Sequence, residues 1–187
     1  MQRDECSVVR TDLDGYESDL RPLFRAYFGE ADERALEYFD DYLSGTDVEE
    51  DVATDIDRLS SAAIDEPLFL ALAADDLPAM NTSDDPRLVG NVQLKRLDET
   101  TAEVKRLYVV PEYRGEGIGR RLMEVLLDGA AADGFTTLRL GVGPYLEKAQ
   151  SLYTDLGFEY TPPYEQTGAP EVIHDEWRFM QCSLDEN

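Results

Sequence analysis

Lysine is scarce in this chain: Lys95, Lys105 and Lys148 are the only three in 187 residues. With arginine included the basic residues reach 17, against 41 Asp and Glu, so the chain offers no basic face for phosphate contacts. Nucleic acid is therefore not an expected partner. Cysteine is nearly absent too. Cys6 and Cys182 stand at opposite ends, without the spacing of a metal site or a disulfide framework, and both are expected to be reduced and buried. The single histidine, His174, lies in a late loop and is expected to be structural; no metal is expected. No uninterrupted apolar run approaches the roughly 20 residues of a membrane-spanning helix, so no membrane partner is expected. The opening Met1-Gln2-Arg3-Asp4-Glu5 has no apolar segment behind it, which argues against a secretory leader and for a cytoplasmic setting.

What the chain does have is a globular composition and a large negative charge. At 42% hydrophobic and 10% aromatic residues it has the material for a core, and its length suits one domain over residues 1–187. The formal net charge is -24, and the acids recur from Asp4 to Glu186 instead of forming one tail. Such an even spread reads as a solvated surface. It fits a protein that works in concentrated salt, where self-repulsion is screened. An acidic groove for a polycationic substrate is the alternative. A homodimer is compatible with such a chain, and the sequence does not select an oligomeric state.

Apolar periodicity outlines the elements. Cys6–Arg10 reads as a short strand, and Asp12 or Asp14 as the cap of a helix reaching Phe28. Helical spacing recurs over Asp32–Leu43 and again over Asp47–Ala63. After Pro67 the period shortens. Strands are expected at Leu68–Ala74 and Leu88–Leu97, with a loop between them from Asp75 to Arg87, and a turn at 98–101 leads to a third at Ala102–Val110. Within that last strand Val104 falls on one face but Leu107 and Val109 on the other, which a bulge near Lys105-Arg106 would reconcile. A strong helix follows over Glu116–Asp133, then a strand at Thr137–Val142, a helix at Tyr145–Leu156, and strands at Phe158–Thr161 and Glu176–Leu184. The sum is an α+β domain with a mixed, mostly antiparallel sheet flanked by helices.

The chemistry concentrates at Arg114-Gly115-Glu116-Gly117-Ile118-Gly119, a glycine-rich turn set directly between a strand and a long helix. A helix start offers unpaired N–H groups and the positive end of the macrodipole, and glycines let an anion approach that backbone. Neither the dinucleotide fingerprint nor the phosphate loop ending in Gly-Lys-Ser/Thr is present. The pattern resembles the signature of the Gcn5-related N-acetyltransferases (the GNAT superfamily), Gln/Arg-x-x-Gly-x-Gly/Ala, through Arg114, Gly117 and Gly119. The preceding Leu107-Tyr108-Val109 and Pro111 fit the same family. So do Ala149-Gln150-Ser151-Leu152-Tyr153 and Leu156-Gly157-Phe158 downstream. The resemblance covers residues 88–161 closely, and the first 66 only through their order of a strand and helices.

That resemblance implies a GNAT-like acyl-CoA N-acyltransferase fold and transfer of an acetyl group from acetyl-CoA to a primary amine, small molecule or peptide, in a ternary complex. A non-catalytic coenzyme A-binding module and a transferase of longer acyl groups are the alternatives. Backbone groups of Leu107, Tyr108 and Val109 would line the pantetheine arm, and those of Arg114, Gly115, Glu116, Gly117, Ile118, Gly119 and Arg120 the pyrophosphate. Tyr153 matches the tyrosine that protonates the departing thiolate. Glu103 is the candidate base, with a surface carboxylate paired to Lys105 or Arg106 as the other reading. Where relatives often carry a coenzyme A-binding asparagine, this chain has Leu146, and Tyr145 or Lys148 would have to replace it. The loop from Tyr160 to Tyr164, with Trp177, is a candidate wall of the acceptor pocket.

The charge makes its own prediction. Carboxylate repulsion acts over about 30 Å at 0.01 M salt and about 3 Å at 1 M. Thermal melts in a potassium chloride series should rise steeply and then level off. A flat melting temperature would contradict the salt reading, and stabilisation by spermidine far below comparable potassium would favour the acidic groove.

Overall fold

The computed structural model describes residues 6–39, 47–61, 66–73 and 86–184. Alternating and fully apolar segments form seven strands: β1 (Cys6–Thr11), β2 (Leu68–Ala73), β3 (Arg87–Arg96), β4 (Thr101–Val109), β5 (Thr137–Val142), β6 (Glu159–Thr161) and β7 (Arg178–Ser183). They join in one sheet of order β1-β2-β3-β4-β5-β7-β6. Every pairing is antiparallel except β4 with β5. The expected α+β class and mixed sheet are therefore present.

Both faces of the sheet are covered, which is why all six residues of β2 are buried. On one face α3 (Ile118–Ala132) and α4 (Glu147–Asp155) pack over Val89, Val92, Ala102, Val104 and Leu138. On the other, α1 (Glu17–Tyr38) and α2 (Val48–Leu59) pack through Leu20, Phe24, Val52 and Ile56 against Leu68, Leu70 and Tyr108. Asp47 caps α2, its side chain accepting from the amides of Glu49 and Glu50.

Several boundaries differ from the sequence reading. The helices expected to Phe28 and from Asp32 are one continuous helix, α1, whose two halves both dock: Tyr27 and Phe28 beside Arg106, and Tyr38 and Phe39 against Tyr145 and Trp177. Packing at both ends outweighs the roughly 1 kcal/mol helix penalty of Gly29. Neither Asp12 nor Asp14 caps it. Asp12 instead accepts from the Asp14 amide in a turn before the helix. Cys182 is buried, but Cys6 is only partly so because β1 is an edge strand. Tyr42 and Leu43 and most of the loop expected between Asp75 and Arg87 lie outside the described residues.

The expected bulge is real. Asn91 pairs with Tyr108 and Gln93 with Lys105, so Arg106 and Leu107 together oppose Val92. Arg106 takes the left-handed conformation, φ 57°. Its carbonyl accepts from Asn91 Nδ2 at 2.7 Å, and its guanidinium is clamped by Asp55 of α2, Nε to Oδ2 at 2.7 Å. Arg58, Glu66 and Gln93 complete a half-buried polar network around that pair. Burial alone would raise the Asp55 carboxyl, but Arg106 and Arg58 outweigh it and hold it below its ordinary value. Removing one partner of such a pair costs about 3–5 kcal/mol, because the other charge stays buried.

Candidate active site

Strands β4 and β5 pair only at Thr101–Thr137, Ala102–Leu138 and Glu103–Arg139. Beyond Glu103 they diverge, while β4 stays on β3 and β5 stays on β7. The bulge at Arg106 lies just past the last pair, and extra local twist is what a bulge adds. The result is a wedge in the middle of the sheet with strand edges on both sides. Val110 donates to the Val89 carbonyl, so by the antiparallel alternation Val109 turns its amide and carbonyl away from β3, toward the wedge. Tyr108, by the same alternation, directs its backbone groups toward Asn91 of β3, and its side chain faces α1.

At the wedge's mouth the chain passes through the glycine turn into α3. Gly115 and Gly117 have φ 84° and 82°, a region that favours glycine, and Gly117 is the residue before the first helical one. The first intrahelical bond there runs from the Arg121 amide to the Gly117 carbonyl, so the amides of Ile118, Gly119 and Arg120 precede the ladder. No side chain caps this helix, and its first turn carries no acid. The first turns of α1, α2 and α4 all carry acids. In a chain of charge -24 this end keeps its positive character. A helix start with open amides and no Cβ in the way suits a pyrophosphate.

The arginine that opens the motif is placed differently from the amides. Arg114 donates from Nε to the Val109 carbonyl at 2.8 Å and forms a two-pronged pair with Glu30 of α1, at 3.1 and 2.7 Å. Its guanidinium also lies 5.1 Å over the Tyr108 ring. It thus ties α1 to the turn. Arg120 bonds Asp155 of α4 at 2.8 Å.

Tyr153 lies on the inner side of α4, 7% exposed, beside Phe158. Burial raises its phenol well above the ordinary value, with Tyr27 adding to the effect, so it keeps its proton. Tyr27 belongs to α1 on the opposite face of the sheet. Glu103 is 3% exposed, so it is no surface carboxylate, but it does pair with Lys105 as the alternative reading expected. Its Oε1 accepts from the Tyr164 hydroxyl at 2.8 Å, Lys105 Nζ lies 3.4 Å from Oε2, and Oε2 has no hydrogen-bond partner. Burial lowers the Lys105 ammonium against the pull of Glu103. Leu146 packs against the core, and Tyr145 stacks on Tyr38 and Trp177. The expected wall from Tyr160 to Tyr164 divides: Tyr164 turns inward to Glu103, whereas Tyr160 is exposed. His174 holds the loop through the Ala169 carbonyl at 2.9 Å.

With this geometry in hand, the comparisons with known proteins are decisive about kinship. A sequence model of the acetyltransferase (GNAT) family matches residues 19–158. The chain belongs to that family. An uncharacterised N-acetyltransferase of Mycobacterium bovis is 37% identical over 75 residues, 40% of this chain and 48% of its own. The thialysine N-epsilon-acetyltransferase of Mus musculus is 31% identical over 97 residues, 50% of this chain and 57% of its own. The chain spans about half the length of these curated relatives. The PaiA N-acetyltransferase of Thermoplasma acidophilum, solved in complex with coenzyme A, shares the fold with a TM-score of 0.65 at 19% identity, over 95% of this chain and 99% of that one.

Sequence reasoning missed Glu30 and Asp55, and it named Tyr164 only as part of a pocket wall, not as a partner of Glu103. Asp55 did carry a signal, an acid inside the Val52–Ile56–Leu59 stripe of α2. Glu30 acts across 84 residues of chain and carried none.

The turn generates a direct test. A Cβ on Gly119 would meet Leu152 and Val109 at 3.8 and 4.0 Å, ordinary contacts, so Gly119→Val should fold. Its branches would crowd the anion site, and acetyl-CoA affinity measured by calorimetry should fall by about tenfold or more. Unchanged affinity in the folded variant would remove the turn from the cofactor site.

Proposed function

We propose that this GNAT-family protein transfers an acetyl group from acetyl-CoA to a primary amine by direct attack within a ternary complex. The observation that carries the reading is the wedge between β4 and β5, with the open α3 amides at its mouth and Tyr153 and Glu103 near it. The α3 amides suit the pyrophosphate, and the outward edge of β4 at Val109 suits the amide groups of a pantetheine arm. Acetyl-CoA supplies the activated thioester. In this reading Glu103 takes the proton of the incoming ammonium, directly or through water, and Tyr153 donates its proton as the thiolate departs. A buried tyrosine held in its neutral form is loaded for that role. The described elements share a single sheet, which supports reading the chain as one acyltransferase domain. At the position where relatives often carry the asparagine, Leu146 at the N-cap of α4 packs a partly buried apolar side chain against the core. That departure favours a second reading, a non-catalytic coenzyme A-binding module.

Thiol release from acetyl-CoA in high-salt buffer separates the two. The panel comprises n-propylamine, spermidine, L-lysine, L-methionine and a short peptide with a free N-terminus. The transferase reading predicts amine-dependent release. It also predicts that Tyr153→Phe lowers kcat by roughly 10²- to 10⁴-fold while acetyl-CoA affinity holds. Tight acetyl-CoA binding without release by any amine would establish the module instead. A Tyr153→Phe rate within about twofold of the parent would remove tyrosine as the acid.

A further inference from the structure

The buried Glu103 carboxylate has two unequal oxygens, and the inequality has a structural cause. Oε1 accepts from the Tyr164 hydroxyl at 2.8 Å, in a buried hydrogen bond between β4 and the loop that precedes β7. Oε2 is buried too and makes no hydrogen bond of good geometry, although the Lys105 ammonium lies 3.4 Å from it as an ion pair. The two oxygens are thus held differently, one by a directed hydrogen bond and the other by charge alone, which leaves Oε2 able to accept a further hydrogen. Tyr164 itself is firmly held. Its ring packs edge-on to Phe179 at 5.7 Å, the Arg139 guanidinium lies 5.3 Å from its face, and its carbonyl accepts from the Thr167 amide in a turn. Of the charges around the carboxylate, Lys105 is on β4, Arg139 is its register partner on β5, and Lys95 is its partner on β3. Arg106 is neutralised by Asp55 and faces α1 and α2.

We propose that Tyr164 is a positioning residue for the transfer step: it fixes Glu103 by one oxygen so that the other receives the acceptor's proton. This rests on Glu103 being the base. In the step so arranged, an N–H proton of the amine goes to Oε2, directly or through one water. The nitrogen forms its bond to the thioester carbon, the carbon–sulfur bond breaks, and the thiolate takes the Tyr153 proton. Glu103 then gives its proton to solvent and the Tyr153 phenolate takes one back from solvent, so protons and electrons balance. Tyr164 neither gains nor loses a proton. Burial raises its phenol far above the ordinary range, with the Glu103 charge adding to it, which keeps Tyr164 a donor to the carboxylate throughout.

Tyr164→Phe keeps the ring packing and deletes only the donated bond. With n-propylamine as the acceptor probe, or the fastest amine of the panel, its kcat should fall by about 10- to 100-fold while the acceptor KM and acetyl-CoA affinity stay within about twofold. The loss should deepen toward lower pH, where more of the acceptor is ammonium. In a Glu103→Gln background the same substitution should change kcat by less than about twofold, since there is no carboxylate left to orient. Thermal melts of all variants establish that each is folded. Equal loss in both backgrounds, or no loss in either, with Glu103→Gln itself slow, would overturn the positioning role alone. Glu103→Gln at the parental rate would overturn the base assignment and this proposal with it.

Discussion

Arg106 holds a backbone conformation that costs a side-chain-bearing residue about 1–3 kcal/mol, and much of the remaining architecture follows from how that cost is met. Asn91 fixes the carbonyl from below and Asp55 fixes the guanidinium from α2. With the bulge locked, β4 runs parallel to β5 for three residues and then leaves it. The same extra residue carries Leu107 and Val109 onto the α3 face. One local distortion therefore opens the sheet, turns Val109's backbone into the opening, and anchors the helices of the other face.

The two faces meet at that opening. From one side α4 brings Tyr153, and from the other α1 brings Tyr27, while the short β4–β5 ladder places Glu103 at the closed end. Glu30 of α1 grips Arg114 of the turn, so α1 and the glycine turn that opens α3 are tied together. This tie is partly exposed, and its contribution to stability is small, about 0–1 kcal/mol.

Much of this was legible in the residues. The conflict between Val104 and the pair Leu107 and Val109 revealed the bulge, because a period of two cannot hold all three on one face. Gly115, Gly117 and Gly119 marked the turn, and the stripe from Ile118 to Leu126 marked α3. What stayed hidden was long-range. The apolar spacing suggested a break in α1 between Phe28 and Asp32, and contacts to Arg106 near one half and to Trp177 at the far end accompany the continuous helix. Tyr164 read as part of a pocket wall, and its bond to Glu103 showed only in the folded chain. Local pattern reports which face a residue takes, but a single polar contact across the chain leaves no period to read.

The central claim is that the wedge and the α3 start form one continuous cofactor site. Amide chemical-shift mapping during a coenzyme A titration tests it most directly, because each amide reports its own surroundings. Shifts should concentrate at Val109 and at Gly115 to Arg120, with the residues of β1 and β2 unmoved. A saturable titration whose shifts cluster elsewhere, leaving Val109 and the turn unchanged, would contradict the account.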